Sequence, residues 1–120
     1  IAEDIVRVCG RMGVAVVLNR SWGGLEPPDS LPSHAIAVDH APFHTLFPRM
    51  KAIVHHGGSG TTHIATQTDT PQAIIPHIAD QFFWSRQVVA SKKGVKGFPI
   101  KQWSEQRFES LLKSLIQFQP

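Results

Sequence analysis

Ala52-Ile53-Val54-His55-His56-Gly57-Gly58-Ser59-Gly60-Thr61-Thr62 runs from an apolar stretch into three glycines and three hydroxyl side chains without meeting a charged residue. A short apolar run closed by glycine reads as a buried strand with a tight exit, and residues 61–67 read as the helix that follows. Glycines let the backbone turn sharply and approach a ligand closely, while Ser59, Thr61 and Thr62 bring hydroxyls to the exposed N–H groups of a helix start. That chemistry suits a phosphate-bearing ligand. The stretch lacks the lysine of a Walker A loop and the G-x-G-x-x-G spacing of a dinucleotide fingerprint. Its plainer reading is a glycine turn that only joins strand to helix. His56 is the candidate donor to a phosphoryl oxygen, with His55 ending the strand inward.

Working outward, Ile5, Val8 and Met12 share one face at helical spacing, Gly13 supplies a stop, and Val14-Ala15-Val16-Val17-Leu18 reads as a strand. Loop follows through Pro27, Pro28, Asp29 and Pro32, then a second strand, Ala35-Ile36-Ala37-Val38. Leu46, Phe47 and Met50 suggest a short helical turn around Pro48. Downstream, Gln72-Ala73-Ile74-Ile75-Pro76 reads as strand with a proline stop. A helix opened by Asp80 runs to Lys92-Lys93-Gly94, and residues 95–100 form a brief extended piece. Ser104, Glu105 and Arg107 start a last helix, lined on one side by Phe108, Leu111, Leu112, Leu115 and Ile116. Strands apolar on both faces and separated by helices predict the α/β class, a parallel sheet flanked by helices. Ligands of such sheets bind beyond the carboxyl ends of the strands, where residues 19–24, 40–44, 55–62 and 76–81 are expected to converge on one site.

The 120 residues are the size of one domain rather than of a two-domain enzyme. Twelve Lys and Arg against nine Asp and Glu give +3. The basic residues are scattered apart from Lys92, Lys93, Lys96 and Lys101, too thin a patch for a nucleic-acid partner. No uncharged apolar run reaches the roughly 18 residues of a membrane span. One cysteine, Cys9, forms no internal disulfide and suggests a reducing compartment. With Ile1 in place of Met and no basic-then-apolar leader, the chain is expected to be a mature or excised segment. Seven histidines raise the question of zinc, but the glycine turn separates His56 from His63 and no H-E-x-x-H pattern occurs, so no metal is expected.

Asp80 and Gln81 follow a strand exit. A carboxylate accepting hydroxyl protons beside an amide that donates and accepts suits the vicinal hydroxyls of a sugar, while Asp80 reads equally well as a helix N-cap. Trp22, between Ser21 and two glycines, offers an indole to a ligand or packs over the sheet edge. Asp39 reads as a loop carboxylate. Phe82 and Phe83 cannot both face inward from one helix, so an apolar contact beyond the core is expected. Cys9, with no histidine adjacent in sequence, reads as an inert buried thiol. Gly57-Gly58-Ser59-Gly60-Thr61 is not the nucleophile elbow of a serine hydrolase.

Taken in order, Ser21-Trp22-Gly23-Gly24, Leu46-Phe47-Pro48-Arg49, the His55–Thr62 turn, Thr70-Pro71 and Asp80-Gln81-Phe82-Phe83-Trp84 resemble a known series. They are similar to the carboxyl-terminal, donor-binding domain of the GT-B glycosyltransferases, most of all the sterol 3-beta-glucosyltransferases and bacterial antibiotic-aglycone glycosyltransferases. The resemblance implies a Rossmann-like domain that is one half of a GT-B fold, spanning residues 1–120, with its first strand and the whole amino-terminal acceptor domain absent. It implies that His56, Gly58, Ser59, Gly60 and Thr61 meet the diphosphate of a nucleotide sugar, with Asp80 and Gln81 on the transferred hexose and Ser21 and Trp22 beside the donor. UDP-glucose is the implied donor, with a TDP-sugar as the alternative, and no separate cofactor is expected. The implied activity is inverting transfer of a hexose to a hydroxyl of a sterol, lipid or other small hydrophobic acceptor. The general base comes from the other domain, so no catalytic residue is expected here and the chain alone is expected to be inactive. A cytoplasmic location is implied, with peripheral membrane contact through the parent protein.

Three positions depart from the family pattern. Residues 40–44 lack the tryptophan that stacks on the base in many relatives, leaving Phe43 as the candidate. Ala65 stands where plant members carry a ribose-binding Glu, an acid that sterol-type members also lack, and Thr66-Gln67-Thr68-Asp69-Thr70 replaces an Ala-Gly-rich run. Two other readings stand beside this one, a nucleotide-sugar 2-epimerase-like enzyme and a non-catalytic nucleotide-binding or interaction module.

Overall fold

The computed structural model describes residues 1–20 and 25–119, and contacts divide the chain into two compact units, residues 1–41 and 42–120. The first unit opens with α1 (Ala2–Met12), which Gly13 ends in the left-handed conformation, its φ of 70° letting backbone N–H groups cap the carbonyls of Cys9 and Gly10. Two parallel strands follow, β1 (Val16–Asn19) and β2 (Ala35–Val38), with Val16 opposite Ala35 and Asn19 opposite Val38. Their core is Val6, Leu18 and Ala35, with Ile5 and Val16 packed against it. The buried residues of α1 are Ala2, Val6, Val8 and Cys9, so Val8 of the expected stripe lies in the core while Ile5 and Met12 are half-buried. His34 pins this unit from the far end of the loop, its Nε2 lying 2.8 Å from the Val6 carbonyl. Asp39 pairs with Arg20 at 3.2 Å, both exposed.

The second unit begins with α2 (Phe43–Leu46), continued by a 3-10 turn, Phe47–Arg49, that accommodates Pro48. Two successive strand-helix-strand units follow: β3 (Ile53–His55), α3 (Ser59–Gln67), β4 (Gln72–Ile74), α4 (Gln81–Ala90) and β5 (Gly94–Val95). The three strands are parallel in the order β3-β4-β5. The α/β class with parallel strands between helices is the architecture seen. The last strand is shorter than the extended piece expected, and two glycines explain its fit. A Cβ on Gly94 would collide with the Gln72 carbonyl, and one on Gly97 with the Ile74 carbonyl, so this segment lies directly against the β4 backbone. After a second 3-10 turn, Ile100–Gln102, α5 (Glu105–Gln117) starts at Ser104, whose Oγ accepts the Arg107 N–H at 3.1 Å. Leu111 and Leu115 of α5 cover Ala73 and Ile75, with Trp103 and Phe98 beside them. Among the described residues no helix is long and apolar enough to cross a membrane.

Candidate functional site

The site forms where β3 and β4 end. His55, the last residue of β3, is buried with 3% of its surface exposed. The Gly57 N–H donates to its Nδ1 at 3.1 Å, so the proton sits on Nε2, which lies 2.8 Å from Gln72 Oε1. Gln72 Nε2 donates to Thr66 Oγ1 at 3.0 Å, and that hydroxyl donates to the Thr62 carbonyl at 2.9 Å. This chain ties the glycine turn, both strands and α3 together. Burial lowers the His55 pKa to about 4, despite the favourable bond to Gln72. His55 is therefore a neutral structural residue, and Gln72 is its partner.

Gly57 has a φ of +100°, a conformation that side chains rarely adopt. A Cβ here would stand 2.8 Å from Ile74 Cγ2 and 3.0 Å from Gln81 Cβ. Glycine thus allows the first loop to touch the start of α4, and the phosphate-type and sugar-type candidates meet. Gly58 is the N-cap of α3, which no described side chain caps and whose first turn holds no acidic residue. The N–H groups of Ser59, Gly60 and Thr61 precede the intrahelical ladder and point out of its positive end. The helix begins two residues earlier than expected, which converts these loop amides into helix-terminal donors. Thr62 corrects one expectation. It is buried and its Oγ1 donates back to the Gly58 carbonyl at 2.8 Å, so Ser59 and Thr61 are the hydroxyls nearer solvent.

His56 is half-buried, and its Nε2 would lie 3.4 Å from a Cβ on Gly58, so the ring leans over the α3 start. Its pKa is lowered by burial and by nearby His77, whose ring centroid is 6.0 Å away. Across the mouth, Ala79 takes a φ of 53°, turning the chain so that Asp80 opens α4. Asp80 is exposed and makes no side-chain capping bond; its Oδ2 receives only a long contact, 3.4 Å, from the Trp84 indole N–H. Gln81 Oε1 accepts the backbone N–H groups of His77 and Ile78 at 2.7 and 3.0 Å, bracing the loop and leaving Nε2 as the amide's donor. Trp84 also sets its ring edge against His63 of α3, at 5.1 Å.

The structure thus brings His56, Gly58, Ser59, Gly60, Thr61, Asp80 and Gln81 around one mouth. Phe43 is on α2, stacked at 4.7 Å on the buried Phe47. Ser21 and Trp22 lie outside the described residues. Gln72, Trp84 and His77 were not anticipated as parts of this arrangement. An amide inside an apolar strand was the available signal for Gln72, since a buried polar group demands a partner. Elsewhere, Cys9 is buried and its thiol is pushed up to about 11, which makes it unreactive. Among the described residues no group of three or more metal-ligating side chains occurs.

The family model for the erythromycin biosynthesis protein CIII-like C-terminal domain matches residues 4–117. The chain is 35% identical over 118 residues to sterol 3-beta-glucosyltransferase UGT80A2 of Arabidopsis thaliana, covering 95% of this chain and 18% of that protein. It is 37% identical over 95 residues to the vancomycin aglycone glucosyltransferase of Amycolatopsis orientalis, covering 79% of this chain and 22% of that protein. Among solved structures, glycosyltransferase VinC in complex with dTDP matches with a TM-score of 0.80 and 29% identity, over 95% of this chain and 29% of that one. The chain therefore spans about a fifth of the length of these two curated relatives. On this evidence it belongs to the erythromycin biosynthesis protein CIII-like C-terminal domain family, as a GT-B-type donor-binding domain related to sterol and antibiotic-aglycone glycosyltransferases.

Proposed function

We propose that the chain is the donor-binding part of an inverting glycosyltransferase that moves a hexose, glucose from UDP-glucose, to a hydroxyl of a sterol, lipid or other small hydrophobic acceptor. The observation that carries this reading is the contact at Gly57, which joins an uncapped helix start to the Asp80–Gln81 edge of a neighbouring loop. A nucleotide sugar needs both sets of groups within one mouth, amides for the diphosphate and a carboxylate for sugar hydroxyls. In this reading the α3 amides and His56 stabilise the departing diphosphate as the acceptor oxygen displaces it at the sugar C1. Phe43, Ser21 and Trp22 are assigned to the base and donor side. The base that deprotonates the acceptor comes from an amino-terminal domain, as does the acceptor pocket. Glucose is favoured because the sterol and vancomycin relatives are named as glucosyltransferases. A dTDP-sugar is the second donor reading, favoured by the dTDP named with VinC. The buried, reduced Cys9 agrees with a cytoplasmic setting.

The test is a titration of the chain with UDP, UDP-glucose, dTDP-glucose and a GDP-sugar, repeated with Asp80→Ala. The reading expects UDP-glucose to bind at least as well as UDP, and Asp80→Ala to erase any preference for the sugar while leaving UDP affinity nearly unchanged. Equal loss for both ligands would reduce Asp80 to a structural residue, and a preference for dTDP-glucose would replace the base.

A further inference from the structure

His77 has no part in the reading above, yet its backbone is anchored, with its N–H on Gln81 Oε1 at 2.7 Å. The residue is exposed, and its ring meets that of His56 at 6.0 Å with 62° between planes. Two imidazoles therefore stand across the same mouth, one of them leaning over the α3 start. Burial and then the nearby His77 ring hold His56 below the ordinary histidine range. A bound anion reverses that sign. A diphosphate offers several oxygens, and with ring centroids 6.0 Å apart each imidazole can give it an N–H···O bond of about 2.8 Å.

We propose that His77 is a second phosphate-binding group of the donor site, which with His56 takes up a proton as the diphosphate binds, so that donor affinity rises as pH falls through the histidine range. The proposal rests on the donor-site reading. The linkage has one sign: an anion that raises an imidazole's pKa in the complex binds more tightly where that imidazole can be protonated. The other ionisable groups on the surrounding elements are Asp80 in the same loop, buried His55 on β3, His63 on α3, Arg86 on α4, and Lys101 in the 3-10 turn anchored by the Ile100 N–H to the Pro76 carbonyl. Of these, His63 has its Nδ1 against the Ser59 carbonyl at 2.5 Å, within its own helix.

The experiment is calorimetric titration of the full chain with UDP near pH 8 and near pH 6, for wild type, His77→Phe and His77→Gln, with dTDP in a second arm. Comparing proteins at each pH cancels the ligand's own titration. The ratio of wild-type to His77→Phe affinity is expected to grow about tenfold from the higher pH to the lower. The His77→Gln variant, which keeps an N–H donor but no proton to gain, is expected to show no such growth relative to His77→Phe. If His77→Phe does not fold, wild type against His77→Gln decides in the same way. A ratio independent of pH, with UDP still bound by wild type, overturns the role of His77 and leaves the donor site standing. Failure of wild type to bind either UDP or dTDP overturns both.

Discussion

At the residue scale the two adjacent histidines divide the work of the glycine turn. His55 faces inward and stays neutral; His56 faces the mouth. Because the folded His55 pKa is about 4 and the unfolded chain titrates near 6.5, the folded state binds fewer protons between those values. Stability present above about pH 6.5 is therefore lost as pH falls toward about 4, on the order of 3 kcal/mol in all. Urea unfolding near pH 7 and near pH 4.5 checks this, with His55→Gln expected to flatten much of the difference. Gly57→Ala is expected to cost at least about 2 kcal/mol, since the new methyl meets Ile74 and Gln81 at a strained φ. His56→Ala is expected to leave the melting temperature nearly unchanged while weakening UDP binding by about 1–3 kcal/mol, the scale of a hydrogen bond to a charged group. Thermal melting and calorimetry together distinguish the two substitutions. An inward His55 and a mouth-facing His56 were legible, because side chains alternate along a strand. The hydrogen bond from His55 to Gln72 was not, since only the register pairing β3 with β4 brings the two side chains together.

At the element scale, legibility followed how local the cause was. The start of α5 is written in Ser104 and its apolar stripe, and Ser104→Ala is expected to lower stability by about 1 kcal/mol in chemical denaturation. The start of α3 was read two residues late, because Ser59-Gly60 has turn chemistry and only the packed backbone places those residues in the first helical turn. The short β5 depended on a non-local cause, the approach of Gly94 and Gly97 to the β4 carbonyls. Gly97→Ala is expected to unseat this segment, with a loss of several kcal/mol and faster amide exchange across β4, because the added methyl would collide with backbone rather than with a movable side chain.

At the scale of the whole molecule, the ordered motifs made the family legible, while the site's geometry needed the fold. Nothing in the spacing of Gly57 and Gln81 says that their atoms touch; a left-handed glycine between two strand ends makes it so. Likewise, the Asp80 carboxylate could be a helix cap or a ligand group by sequence, and only the fold shows that it makes no capping bond. Phe82 and Phe83 of α4 are both exposed, as expected of neighbours that cannot both turn inward. The proposed function takes the general base from another domain. Incubation of the chain alone with labelled UDP-glucose and a panel of hydrophobic alcohols is therefore expected to give no glycoside above the uncatalysed rate.

The central claim is that the glycine turn and the start of α4 form one nucleotide-sugar site, and amide chemical-shift mapping under saturating ligand tests it most directly. UDP is predicted to move the resonances of residues 56–61, and UDP-glucose to move those of residues 80 and 81 as well. Residues 56–61 left unmoved by both ligands would contradict the account.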